Sequence, residues 1–169
     1  MKNTFIIALL VALLQSCVTK KENTALDPVN WESRYVKNMP SDSLHFGSSY
    51  LSVYSEIYSL SEQLTHDLTS TVSLRNVNTA DTIYIKKAEY FDTHGQLIRT
   101  YFDRPIFIAP METVEIVIDE VDRGGGTGGN FLFQWSCLPA SNEPFFEAVM
   151  ISTSGQQGLS FRTEGKTLK

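Results

Sequence analysis

The sequence predicts an all-β fold, an immunoglobulin-like antiparallel β-sandwich of about seven to nine strands. Three observations carry that expectation. Apolar and polar residues alternate with period two in several short stretches rich in Val, Ile, Thr, Phe and Tyr. Clusters of Gly, Pro, Asn and Asp separate those stretches. No stretch keeps a sustained apolar stripe at helical spacing, although Tyr50, Tyr54 and Tyr58 fit i, i+4 as well as a strand face. Residues 49–169 contain all of these stretches and read as one domain of ordinary size.

Before that domain comes a processed leader. Met1-Lys2-Asn3 is a short positive region, and Phe5 to Leu14 (FIIALLVALL) is an apolar run. A membrane-spanning helix needs roughly 20 such residues, so this run suits a signal peptide over residues 1–16. Leu14-Gln15-Ser16-Cys17 resembles a bacterial lipobox, with a leucine three residues before the cysteine and a small residue just before it. That resemblance implies cleavage and acylation at Cys17, which would anchor the chain stably because several acyl chains hold where one does not. A plain secretory signal with an incidental cysteine is the alternative. Residues 17–48 are polar, aperiodic and interrupted by Pro28 and Pro40, and read as the lipidated cysteine and a flexible tether. Trp31 and Tyr35, four apart, could dock on the domain. Val18 after the cysteine, in place of Asp, resembles outer-membrane sorting and leaves the membrane face undecided.

The strands follow in order. In YLSVYSEIY (50–58), Leu51, Val53 and Ile57 share one face and Tyr50, Tyr54 and Tyr58 the other. In LTSTVSLRNV (68–77), Leu68, Val72 and Leu74 alternate with polar residues. TIYIKKAEYF (82–91) changes parity between Ile83/Ile85 and Ala88/Tyr90, which predicts a β-bulge near Lys86-Lys87. Asp92-Thr93-His94-Gly95 predicts a hairpin with Gly95 at positive φ. Pro105 and Pro110 bracket IFIA as a short edge segment. TVEIVID (113–119) turns Val114, Ile116 and Ile118 inward, and NFLFQWSC (130–137) does the same with Phe131, Phe133, Trp135 and Cys137. FFEAVMI (145–151), apolar at both parities, reads as a central strand covered on both faces.

The strings YLSVYSEIY (50–58), TVSLRN (71–76), YFDTHGQLIRTYF (90–102), GGTGGNFLFQW (125–135) and NEPFFEAVMISTSGQQGLSF (142–161) occur in that order. Together they resemble an uncharacterised bacterial envelope family, domain of unknown function 3124. The resemblance covers nearly the whole domain. It implies an often lipid-anchored module and names no chemistry.

Residues 124–129 hold five glycines in six positions (GGGTGG). A phosphate loop would need a Lys and a following helix, and here a strand follows. A calcium nonapeptide would need Asp where Asn130 stands, and stacked copies besides. Asp119, Glu120 and Asp122 fit no EF-hand spacing. The prevailing reading is a strand connection, mobile or tightly turned, in which glycine relieves steric cost. A loop whose bare N–H groups touch a ligand or partner is the remaining alternative.

His45, His66 and His94 are solitary, and no histidine follows Cys137, so no copper or zinc set is read. Cys137 shares a face with three aromatics and is expected to be a buried, inert thiol. Ser154-Gly155 lacks the context of a nucleophile elbow, and the spacing of Glu143 and Glu147 cannot define a glycosidase pair. No cofactor and no catalytic residue is assigned, and an enzyme is the lowest-ranked alternative.

Two stretches remain as candidate contacts. Gly155-Gln156-Gln157-Gly158 offers two amides between glycines, and together with Arg123 and Asn130 could form a site at one end of the sandwich. The Tyr50/Tyr54/Tyr58 face could stack on a sugar or pack on a partner. A formal charge of −5, with no Lys/Arg run, argues against nucleic acid and against charge-driven binding to anionic lipid. The expected function is a lipid-anchored envelope β-sandwich with a non-catalytic binding or structural role. Its partners would be the membrane through Cys17 and an unknown protein or glycan. A small-ligand or carbohydrate-binding lipoprotein is the alternative.

Overall fold

The computed structural model describes residues 29–40, 43–153 and 158–169. The leader, Cys17, and the amides of Gln156 and Gln157 lie outside the described residues. Two antiparallel sheets face one another. The larger runs in the order β12 (Lys166–Leu168), β1 (His45–Ser52), β9 (Asn130–Cys137), β5 (Ile83–Phe91), β6 (Leu97–Thr100), and β7 (Ile106–Ile108) also pairs with β5. The smaller runs β11 (Leu159–Glu164), β10 (Phe145–Ser152), β4 (Thr69–Arg75), β8 (Thr113–Ile118). A separate ribbon pairs β2 (Glu56–Ser59) with β3 (Ser61–Asp67).

The fold class is the expected all-β sandwich, but its described residues form twelve strands, more than the sequence suggests. The surplus lies in β2, β3 and β12, each paired with a single strand. Strands of three or four residues carry too little alternation to register as a pattern. β3 is longer but has no buried residue, so it lacks an apolar face altogether.

The core fills the space between the sheets. Leu51, Val72, Leu74, Ile83, Ile85, Ala88, Tyr90 and Val114 are buried there, along with Ile116, Ile118 and the aromatic side of β9. A ladder of rings joins the layers. Tyr90 stacks on Phe131 with centroids at 4.8 Å, Phe131 on Phe133 at 5.3 Å, and Phe133 on Phe146 of the opposite sheet at 4.2 Å. Each fully buried side chain of this size contributes about 2–3 kcal/mol relative to exposure, and the Phe133–Phe146 stack ties the ladder to the opposite sheet. The β5 bulge falls between Ile85 and Lys87, and lets Ile83 and Ile85 before it and Ala88 and Tyr90 after it all face inward.

Two expectations need correction. FFEAVMI is central, between β11 and β4, but it is covered on one face only: Val149 is 38% exposed and Ile151 42%. No third layer lies over the smaller sheet among the described residues.

The domain also begins earlier than residue 49. β1 starts at His45, and residues 29–40 pack on the body. The four-residue helix α1 (Trp31–Arg34), capped by Asn30, sets Trp31 on Phe102 with ring centroids at 5.1 Å. Tyr35 bridges to Ile106, and the Arg104 guanidinium lies 3.8 Å from the Tyr35 ring. Arg34 donates to Glu112 at 2.7 Å and holds its carboxyl below the usual carboxylate range. These contacts close the side of the sandwich between β7 and β8. Polar spacing hid them, because the docking depends on two rings and one ion pair and not on a periodic face.

At the end of the sandwich where β4 finishes, Asn76 Nδ2 donates to the carbonyls of Asp81 and Ile108 at 2.7 and 3.0 Å. Asn76 Oδ1 accepts from the backbone N–H and the side-chain amide of Asn78. This buried polar knot is satisfied within itself, so it fixes three chain segments without leaving a group for a ligand.

Candidate binding surface

At the opposite end, the chain leaves β1 after Ser52 and passes beneath the glycine loop. Val53 N–H donates to the Gly129 carbonyl at 2.9 Å, and Ser55 N–H to Gly126 at 3.1 Å. Gly126–Gly128 forms a 3₁₀ turn with Gly126 at φ 65°. A side chain on Gly125 would overlap the Tyr90 hydroxyl, which is hydrogen-bonded to Ser55 Oγ at 2.8 Å. The loop is therefore packed into the body, which favours the tightly turned connection over the mobile one.

Its groups are also spent internally. Gly126 N–H donates to Arg123 carbonyl, and Gly128 N–H to Thr93 Oγ1. Asp122 accepts from Arg99 at 2.9 Å and from Gly124 N–H at 3.2 Å, and Arg123 pairs with Asp67 of the ribbon. Among the described residues no three His, Cys, Asp or Glu side chains gather as a metal set. The reading of bare N–H groups awaiting a ligand loses those of Gly126 and Gly128.

The Tyr50/Tyr54/Tyr58 face does not form, because the strand expected over 50–58 breaks after Ser52. Tyr50 points outward from β1, opposite Leu132 and Lys166. Tyr54 is half-buried against Phe161, centroids 5.8 Å apart, and Tyr58 stands on the ribbon. Asn130 opens β9 between Ser52 and Phe91. Gln156 and Gln157 lie outside the described residues. The strands flanking Arg123 and the two glutamines do run out at one end, since Ser70 pairs with both Ile118 and Met150.

What the fold does assemble is the outer face of the larger sheet. Residues at one parity of its strands point away from the core in cross-strand rows: Lys166, Tyr50, Leu132 and Glu89 form one, and Leu168, Ser48, Gln134 and Lys87 the next. Phe46 is 58% exposed, Tyr50 40% and Leu168 43%, and two of the three are large aromatic rings set among lysines. Phe107 and Leu97 extend it across β7 and β6.

The bulge also decides the charge of this face. Strict alternation would send one of Lys86 and Lys87 into the core; the extra residue lets both sit outside. Lys86 Nζ lies 4.8 Å from the Phe46 ring centroid, and Lys87 pairs with Glu89. With Lys166 and Lys169, four lysines serve this face against one outward carboxylate, Glu89, among the described residues of these strands. A shallow groove of about 520 Å³ runs between Phe46, Ser48, Lys86, Gln134, Leu168 and Lys169. The parity change in the sequence predicts the bulge, and Tyr50 and Asn130 lie on this face. Alternation alone does not single out Phe46, Lys86, Leu168 or Lys169, and the last two join the face through the pairing of β12 with β1.

Shifted ionisations lie elsewhere and have structural causes. Burial pushes up the hydroxyls of Tyr90 and Tyr101 and the thiol of Cys137, which is fully buried as expected. Asp122 raises Arg99, and Asp67 raises Arg123.

No curated protein matches this sequence. The crystal structure of Thermotoga maritima 1070 is similar with a TM-score of 0.45 at 7% identity, over 71% of this chain and 92% of that one. Residues 47–168 match the family described as protein of unknown function DUF3124, and this chain belongs to that family.

Proposed function

We propose that this chain is a lipid-anchored module of the bacterial envelope that binds through the outer face of its larger sheet and performs no chemistry. The apolar run before Leu14-Gln15-Ser16-Cys17 supports the anchor, and Val18 supports the outer membrane. The contiguous exposed surface of Phe46, Tyr50 and Leu168 among lysines carries the binding role. Such a surface is open and nearly flat, and its side chains suit contact more than proton transfer. Of the three tyrosines, the carbohydrate alternative keeps only Tyr50 on this face, because Tyr54 is committed to Phe161 and Tyr58 stands on the ribbon.

Acylation has a direct test. In native envelopes, Cys17 is expected to be the first residue and to carry diacylglyceryl mass, and Cys17→Ser is expected to move the protein into the soluble fraction. An unmodified Cys17 on membrane-bound protein would sink the anchor.

A further inference from the structure

We infer that the partner of this face is a bilayer surface bearing anionic phosphate headgroups, so that the domain lies flat against the membrane. The inference rests on the reading that the outer face of the larger sheet is the working surface.

Shape comes first. Five strands abreast, about 4.8 Å apart, make a platform roughly 20 Å across. The groove between Phe46, Lys86 and Leu168 is shallow, so a planar partner touches more of this face than a rod or a small molecule does.

Composition agrees. Phe46, Tyr50 and Leu168 are exposed beside lysines, the pairing of apolar body and cationic rim that interfacial segments use. Lysine stems can lie along apolar surface while the amine reaches a phosphate, and Lys86 already lies over the Phe46 ring.

Charge then selects the sign of the partner and the orientation of the domain. The chain as a whole has net charge −5, yet among the described residues this face carries four lysines, and the one outward carboxylate of its strands, Glu89, is paired with Lys87. The opposite outer face presents Glu115, Glu147 and Glu164, with Arg75 and Arg162 bound to Glu147. An anionic surface therefore attracts one side of the sandwich only. The net charge hides this, because it averages over both faces. The dozen or so residues between Cys17 and Val29 can span up to ~40 Å, enough to let the face reach the bilayer that holds the anchor.

The test uses the chain from residue 17 with Cys17→Ser, so that no acyl chain contributes. Every described strand and core residue lies beyond Val29, so this chain keeps the complete described fold. It is sedimented with vesicles of phosphatidylcholine alone or with 30% phosphatidylglycerol. Binding is expected only to the anionic vesicles and is expected to fall between 0.1 and 0.5 M salt. Each lysine close to such a surface is worth roughly fivefold, and Lys→Glu also adds a repelled carboxylate, so Lys86→Glu/Lys166→Glu/Lys169→Glu is expected to weaken binding at least about 100-fold. All three are exposed, and an unchanged melting temperature shows that the variant is folded.

No binding to either vesicle, equal binding to both, or binding indifferent to the triple reversal would overturn the inference. So would capture by polygalacturonate without any by vesicles. Acylation of Cys17 is read by mass on native protein, and a buried face in the envelope by footprinting. Either can hold while this inference fails.

Discussion

Gly47→Ala is expected to destabilise the domain by about 3 kcal/mol, lowering the melting temperature by roughly 10 °C. In a strand this change ordinarily helps slightly, because glycine loses more chain entropy on folding. Here the sign reverses. Gly47 pairs directly with Trp135, and a Cβ at Gly47 would overlap the six-membered part of the indole. Trp135 is fully buried and cannot step aside: its Nε1 donates to Ser49 Oγ at 3.0 Å, and the His45 ring packs on its edge at 5.5 Å. Trp135→Phe removes the obstructing atoms, so the double variant should lose less stability than the two single losses added together. Urea melts of all four chains give the coupling energy. A Gly47→Ala protein as stable as the parent would show that the ring does not lie across β1.

Gly125→Ala is expected to cost about 2–4 kcal/mol, whereas Gly124→Ala, one residue earlier, should cost less than ~0.5 kcal/mol. At Gly125 the added carbon would strike the Tyr90 hydroxyl and press on Ser55 Oγ, separating a buried hydrogen-bonded pair. The loop would also have to move, losing the bond from Thr93 Oγ1 to the Gly125 carbonyl at 3.0 Å. A Cβ at Gly124 meets only the partly exposed Asp122 carboxylate and the tip of Ile98. The contrast distinguishes close packing from flexibility as the reason for the glycine run. If both substitutions cost the same small amount, the loop is a loose connection after all.

Much of the fold was legible because most long strands have one wet face and one dry face. Alternation placed Val114, Ile116 and Ile118 inward, and likewise Phe131, Phe133, Trp135 and Cys137. The parity change in TIYIKKAEYF located the bulge, and Asp92–Gly95 forms the expected turn, with Asp92 Oδ1 accepting from His94 and Gln96 N–H and Gly95 at φ 77°. Pro105 and Pro110 flank β7, which pairs along one side in its sheet.

What could not be read depends on contacts between residues distant in sequence. Gly47 looks like a tether glycine until β9 is laid beside it. Phe46, Leu168 and Lys169 share a surface only because the C-terminal strand returns to pair with β1. The three tyrosines looked like one face because their spacing is compatible with a strand that in fact ends at Ser52. Val149 and Ile151 looked buried because an exposed apolar face and a buried one have the same composition.

That the outer face of the larger sheet is the contact surface can be tested most directly by carbene footprinting in intact envelopes and on the purified chain. Phe46, Tyr50 and Leu168 are expected to be labelled strongly in the isolated protein and several-fold less in the envelope. Val117, Val149 and Ile151, exposed on the opposite sheet, should be labelled equally in both. Protection of the second set with no change in the first would contradict the assignment.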